Sequence, residues 1–245
     1  MTKTTKKKPA PVKQQSKGNI ILCWCDGGMV DGKFAEGLVY TLLTTTSPIK
    51  SAMRVQGNQI GRQRQNAFEY WYDKTDFEWI LWVDSDIEIT KEVIEALWDV
   101  ADPVERPCVS GIYFISKENE QSVMTPFPAV FQWTDDPHTI QYIHPLPKDS
   151  LIKVGAAGFG LLLMHRSVAK RMIEKHGRIP FFNETGVGQS FVSEDINFFR
   201  LMWEADVPLF AHTGALVKHY KRFAYDVGFY KLFWDNYETH SKPQT

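Results

Sequence analysis

Cysteine is scarce in this chain: Cys23, Cys25 and Cys108 are the only three in 245 residues. Three thiols are too few for a disulfide framework, which excludes the small cross-linked secreted scaffolds. Cys23 and Cys25 lie two apart in an apolar run, so in a strand they share a face and Trp24 takes the other. A C-x-C pair can hold a metal, but nothing nearby completes a four-ligand site. Buried, reduced thiols and a reducing cytoplasm are the expectation. Long apolar runs are also missing. None approaches the roughly 20 residues that cross a bilayer, and the basic opening stretch is not followed by the apolar core of a signal peptide. The sequence therefore predicts a soluble protein of the cytoplasm, the host's cytoplasm if the chain is viral. No internal repeat is visible.

Net charge is small as well, −1 at pH 7, but it is unevenly spread. Residues 1–17 hold six of the 28 basic residues and no acid, which leaves 22 basic against 29 acidic residues, a net of −7, for the remainder. With few apolar residues and with Pro9 and Pro11, residues 1–18 are expected to be a disordered basic tail. Such an arm either solubilises the chain or scans an anionic surface such as nucleic acid. Residues 19–240 are expected to form one domain. Aromatic residues are plentiful, 16 Phe, 9 Tyr and 8 Trp, enough to fill a core and to leave rings for a groove.

The order of elements predicts an α/β fold. Asn19–Cys25 reads as a buried strand, followed by the turn signal Asp26-Gly27-Gly28. Phe34, Leu38, Val39 and Leu42 mark one face of a helix, and Ser51–Val55 a second strand. Ala67, Phe68, Trp71 and Tyr72 mark another helix stripe, and Glu78–Val83 reads as a central parallel strand. Thr90 caps a helix through Val93, Leu97 and Trp98, with Cys108–Phe114 the next strand. This alternation predicts a doubly wound, mostly parallel sheet flanked by helices. Residues 115–150 hold several prolines and short β-like runs, which suits an inserted β-rich subdomain. Phe159–Met164 then reads as a strand, Ser167–His176 as a helix stopped by Gly177, and Ser193 as the start of a helix through Met202. Two short strands, around Leu209–Ala211 and Ala215–Lys218, complete the core. The aromatic run from Phe223 to Tyr237 has partly helical spacing and reads as packing or as a stacking platform.

Asp84-Ser85-Asp86 is the sharpest chemical feature. It follows the apolar strand directly, and ligands of parallel sheets bind outside the carboxyl ends of the strands. In extended chain both carboxylates face the same way. Two hard oxygen ligands suit Mn²⁺ or Mg²⁺, with water and phosphate oxygens completing the shell. Such an ion neutralises a departing diphosphate. The bland alternative is a solvated loop with a capping aspartate.

Four blocks, met in order, resemble the GT-A fold glycosyltransferases, in particular the family-2-like branch common in phage and bacteria. Gln59 to Asn66 is similar to the family's Arg- and Asn-bearing helix start, and Trp82 to Asp86 to its DxD motif. Gly155 to Gly160, followed by Leu161-Leu162-Leu163, resembles its glycine-rich acceptor-side turn and strand. Ser193-Glu194-Asp195, with His219 further on, resembles its ED motif and late metal-binding histidine. One departure is that Gln65 separates Arg64 from Asn66, which leaves open whether Arg62 or Arg64 meets the donor.

The resemblance implies a GT-A (Rossmann-like) catalytic domain over residues 19–240, with a small β-rich acceptor-side insertion. It implies a metal-dependent transfer of sugar from a nucleotide-sugar donor, UDP-linked as the family expectation, onto a hydroxyl. Asp86 and His219 would contact the cation, with Asp84 nearer the ribose or the cation. Asp26, Gly27, Arg62, Arg64, Asn66, Asp84, Ser85, Gly158, Gly160 and Lys221 would surround the donor. Asp195 or Glu194 would serve as general base, the resemblance favouring Asp195, although acids in a first helical turn also follow from the helix dipole alone. Attack from the face opposite the leaving group would invert the sugar. The acceptor stays open between a hydroxymethylated base in phage DNA, a glycan and a protein. The competing readings are a sugar-phosphate nucleotidyltransferase and a non-catalytic glycan- or nucleic-acid-binding module.

Overall fold

In a computed structural model of the chain, residues 17–118, 124–136, 139–187, 190–221, 227 and 231 are described. Continuous apolar runs form the middle of a seven-stranded sheet. Its strands are Ile20–Asp26 (β1), Ile49–Gln56 (β2), Trp79–Val83 (β3), Cys108–Ile112 (β4), Leu151–Val154 (β5), Leu161–His165 (β6) and Leu209–Leu216 (β7). The helices are Gly32–Thr44 (α1), Ile60–Lys74 (α2), Lys91–Val100 (α3), Arg166–His176 (α4) and Glu194–Glu204 (α5). The strands lie in the order β5-β7-β4-β6-β3-β1-β2.

Side-chain alternation along β1 splits the core into two layers. Ile21 and Cys23 join the layer under α2, α4 and α5, whereas Ile20 and Leu22 join the layer under α1 and α3. The first layer is dominated by rings. Phe198 is fully buried and stacks on Phe182 with centroids 4.6 Å apart, with Phe159 edge-on at 5.1 Å and Phe199 at 5.5 Å. All three thiols are buried and free. No helix among the described residues is long and apolar enough to cross a membrane.

The expected α/β class and mostly parallel sheet are what the structure has, with differences of detail. β1, β2 and β3 run parallel, and β4 and β7 run parallel, but β6 lies antiparallel between β3 and β4. β6 is buried on both faces, so its continuous apolar run carries no signal of direction. α1 is rolled relative to the predicted face: Phe34 and Leu38 pack on the core as expected, but Val39 and Leu42 do not. Phe34 and Thr41 are buried, while Val39 and Leu42 are exposed. Gly37 sets this roll, because a Cβ there would lie 2.6 Å from the carbonyl oxygen of Ile89. Leu209 to Leu216 is one strand with a register shift rather than two, and Lys218–His219 pairs separately with Ile87–Glu88. The expected strand to Phe114 stops at Ile112, and Phe114–Glu118 instead makes a hairpin with Met124–Pro128. The insertion holds a small sheet of Val130–Trp133, Ile140–Tyr142 and Ala156–Ala157.

Residues 1–16 and most of the aromatic run after Lys221 lie outside the described residues. Lys17, placed by the sequence in the tail, is fixed: its Nζ donates to the carbonyls of Trp98 and Asp99 at 2.8 and 3.1 Å and lies over the Trp98 ring. This is the C-terminal end of α3, where a cation is favoured.

Phe198→Ala removes the ring that touches most of this cluster. A loss of about 3–5 kcal/mol is expected, measured as unfolding free energy in urea. A loss below about 1 kcal/mol would place the core elsewhere.

Candidate active site

Three elements bring the predicted acids to one end of the sheet. β3 ends at Val83, and Asp84 follows with its amide donating to the Gly160 carbonyl at 3.1 Å. The next turn closes with the Ile87 amide on the Asp84 carbonyl at 3.0 Å, and Ser85 accepts the Asp31 amide at 2.9 Å. Ser85 is thereby tied, through its main chain, to the start of α1. The ladder Ile87–Glu88 with Lys218–His219 then places His219 beside Asp86, and the Tyr220 amide donates to the Asp86 carbonyl at 2.8 Å.

Arg64 and Arg62 stand in different surroundings. Arg64 projects from α2 into the protein, nearly buried, and its guanidinium donates to Glu194 Oε1 at 2.7 Å and to Asp84 Oδ1 at 3.0 Å. Its carbon lies 4.9 Å from the Phe159 ring centroid. Burial opposes the charge, but Asp84, Glu194 and Asp195 outweigh it and hold Arg64 charged above its ordinary range. Arg62, two residues earlier, is exposed, as is Asn66. Arg64 is therefore the arginine joined to the acid pair, and Arg62 is the one facing the cleft.

Glu194 and Asp195 point to different surroundings. Glu194 is buried against Arg64, and its burial raises its carboxyl, with Arg64 pulling the other way and Asp195 adding to the rise. Asp195 Oδ1 accepts the Ser193 hydroxyl and the Ile196 amide, the latter at 2.8 Å, so it engages a free amide in the first turn of its own helix.

Asp86 Oδ2 receives Lys221 Nζ at 2.7 Å and faces His219 Nε2 at 3.3 Å. Half-burial raises the Asp86 carboxyl, yet the hydrogen bonds from His219 and Lys221 outweigh it and leave it below its ordinary value. His219 has the converse balance: burial disfavours the charged ring, but Asp86 and the Phe114 carbonyl raise its pKa. Nδ1 lies 2.9 Å from that carbonyl oxygen and so carries a proton, and the bond to it turns Nε2 to Asp86.

Tyr113, which sequence reasoning missed, wedges these parts together. It is nearly buried, its ring meets His219 edge-on at 5.2 Å, and a Cβ at Gly158 or Gly160 would fall 1.8 or 2.6 Å from its atoms. The two glycines thus have a packing reason to be bare. Their spacing is the only trace of it in the sequence.

Asp26 ends β1, next to β3. Its carboxylate accepts Arg54 Nε and Nη2 at 2.6 and 2.7 Å, the Gly28 amide at 2.7 Å and Trp24 Nε1 at 3.1 Å. Four donors match the four lone-pair sites of a carboxylate, so Asp26 shapes the Gly27-Gly28 turn from beneath. Arg54, the second residue missed, holds the Asp26 carboxyl below its ordinary value against an opposing burial penalty. Gln63, the third, donates from Nε2 to the Asp26 and Val55 carbonyls at 2.9 and 2.8 Å.

Over this floor runs a polar cleft. One part, about 470 Å³, is lined by Cys25, Asp26, Gly27, Gly57, Asn58, Ile60 and Gln63. A second, about 410 Å³, adds Gln56, Gln59, Arg62 and Asn66. A third, about 880 Å³, continues from Arg62 and Asn66 to Phe182 and Thr185. Asp26, Gly27, Arg62 and Asn66 therefore share the cleft, while Asp84, Asp86, His219 and Lys221 meet at the end of the neighbouring strand.

The residues at that end that would hold a divalent ion are Asp86 and His219. One carboxylate and one imidazole with a suitable tautomer adjoin, and hard cations complete such a set from water and phosphate oxygens. Among the described residues no group of three or more His, Cys, Asp or Glu forms an all-protein cage. Asp84, expected beside the cation, has Oδ1 on Arg64.

No protein-family model matches the sequence, and no curated protein matches it. Solved structures do resemble the fold. GalNAc-T7, solved with UDP, GalNAc and Mn²⁺, superimposes with a TM-score of 0.56 at 11% identity, over 90% of this chain and 50% of that one. The fold is of the GT-A type. This chain spans half the length of GalNAc-T7. A197 from STIV gives a TM-score of 0.50 at 17% identity, over 83% of this chain and 86% of that one. CMP:2-keto-3-deoxy-manno-octonic acid synthetase, complexed with CTP, covers 90% of this chain and 99% of its own at 12% identity, but its TM-score of 0.45 carries no argument. At these identities the likeness concerns the fold alone.

Arg64→Met leaves Glu194 buried without its partner and Asp84 unpaired, and a loss of about 3–5 kcal/mol of stability is expected. Adding Glu194→Gln should recover part of it in a double-mutant cycle; strictly additive losses would show that the two do not couple. Asp26 gives a pH signature. Its depressed carboxyl contributes stability that is complete above the unfolded value near 3.8 and is lost as pH falls through the lower folded value. Asp26→Asn should be less stable than wild type at pH 7, with the gap narrowing below pH 3.8. Equal gaps in urea midpoints at both pH values would remove Arg54 as the cause.

Proposed function

We propose that this protein is a metal-dependent glycosyltransferase. It moves a sugar from a nucleotide-sugar donor, UDP-linked in the first instance, to a hydroxyl acceptor. The observation that carries this reading is the meeting of Asp86 and His219 at 3.3 Å. It stands at the end of the strand next to β1 and its polar cleft, in a GT-A fold.

In this reading the cleft from Asp26 and Gly27 to Arg62 and Asn66 holds the nucleoside, and its carboxamides offer both donors and acceptors to a base. Asp86 and His219 would hold Mn²⁺ or Mg²⁺, which would neutralise charge on the leaving diphosphate. Asp84 is oriented by Arg64, and Lys221 adds positive charge beside the phosphates. Asp195 takes the proton of the acceptor hydroxyl. Its Oδ1 is engaged by Ser193 and by Ile196, so Oδ2 is the oxygen that acts. The new bond forms from the acceptor oxygen to the anomeric carbon as the bond to the diphosphate breaks. Attack from the opposite face inverts that carbon. Glu194, engaged with Arg64, is a positioning group.

The reading as a sugar-phosphate nucleotidyltransferase needs a lysine gripping a triphosphate near the first strand. Lys33 is instead turned to Glu36 at 2.6 Å. The two reactions also leave different products, nucleoside diphosphate or pyrophosphate.

The test is release of nucleoside diphosphate from a panel of nucleotide sugars with Mn²⁺. Hydroxymethylated DNA, oligosaccharides and peptides are offered as acceptors. Asp86→Asn and Asp195→Asn are each expected to lose about 10²-fold or more of transfer, the scale of one general base, and to remain folded. Wild-type turnover in both variants would remove the proposal, and pyrophosphate release from a nucleoside triphosphate would replace it with the other activity.

A further inference from the structure

One carboxylate oxygen in this site is claimed by two groups. Asp86 Oδ2 accepts Lys221 Nζ at 2.7 Å and faces His219 Nε2 at 3.3 Å. A divalent ion held by Asp86 and His219 would share Asp86 with the ammonium of Lys221, and two cations drawn to one carboxylate repel each other.

The two neighbours differ in their freedom to leave. His219 is anchored through Nδ1 to the Phe114 carbonyl at 2.9 Å and packs edge-on against Tyr113, and only 10% of its side chain is exposed. The side chain of Lys221 is 54% exposed. It ends a four-carbon flexible stem that carries a compact charge.

We infer that Lys221 and the divalent cation exchange at Asp86. In the metal-free protein the ammonium neutralises the carboxylate. When the ion binds, the ammonium is released, two residues beyond His219, to meet the donor's diphosphate. Ion binding thereby delivers a second positive group to the phosphates. This inference rests on the metal site proposed above.

The experiment titrates Mn²⁺ alone into wild type, Lys221→Gln and Lys218→Gln by calorimetry. Lys218 lies on the same ladder but pairs with Glu88 at 3.2 Å, so its removal reports the general effect of deleting a nearby positive charge. Lys221→Gln is expected to bind Mn²⁺ roughly two- to fivefold more tightly than wild type, the range an exposed ion pair commands. Lys218→Gln should gain less. With Mn²⁺ saturating, UDP should bind Lys221→Gln roughly tenfold more weakly, one charge-assisted contact having been lost. Unchanged or weaker Mn²⁺ binding by Lys221→Gln overturns the exchange, as does an equal gain in Lys218→Gln. Unchanged UDP affinity overturns the delivery to phosphate. If wild type binds no Mn²⁺, the metal site itself falls and the exchange with it. If wild type binds and the variant does not differ, only the exchange falls.

Discussion

The buried guanidinium of Arg64 is the interaction on which the site depends. It comes from α2, its partners stand at the end of β3 and the start of α5, and its face lies against Phe159 on the turn before β6. Four segments distant in sequence are fixed by one planar fork. A buried ion pair of this kind is a poor source of net stability, because desolvation cancels much of the Coulomb gain. What it specifies is geometry. A guanidinium with two carboxylates at hydrogen-bond distance leaves little latitude for where β3 ends relative to α5.

A second constraint acts at the other side of Asp84. The two-residue ladder of Ile87–Glu88 with Lys218–His219 is too short to be stable alone, yet it joins residues 135 positions apart at the Lys221–Asp86 contact. Tyr113 and the bare Gly158 and Gly160 fill the space between these two constraints. The Asp86–His219 pair and Asp195 are thus mounted on separate elements, with one arginine and one tyrosine between them.

Much of the scaffold was legible in the sequence. The WILWV run, the Thr90 cap and the Gly177 stop report local physics: burial, an unpaired amide, and a backbone angle suited to glycine. The direction of β6 was not legible, since burial on both faces erases the alternation that would mark its setting. Nor was the inward face of α1, where Gly37 contributes through the side chain it lacks. The site shows the same division. Asp84, Asp86, Glu194, Asp195 and His219 stood out as residue types in order. Arg54 and Tyr113 did not, because an ion pair across neighbouring strands and a ring filling a glycine hollow exist only after folding. Which arginine turns inward follows the helix stripe: Arg64 continues the line of Phe68 and Trp71, whereas Arg62 falls off it.

The antiparallel placement of β6 bears on how the chain assembles. β3 and β4 are 24 residues apart in the sequence but are never neighbours; the strand that joins them begins at Leu161. Until a growing polypeptide has emerged past His165, the half-sheet β2-β1-β3 presents an apolar border with unpaired amides, and β4 lacks both of its neighbours, β6 and β7. Such borders recruit other strands. Synthesis arrested before that point would leave two sticky fragments in one molecule. The keystone of the sheet is followed by one more internal strand, β7, and non-local closure of this sort slows folding.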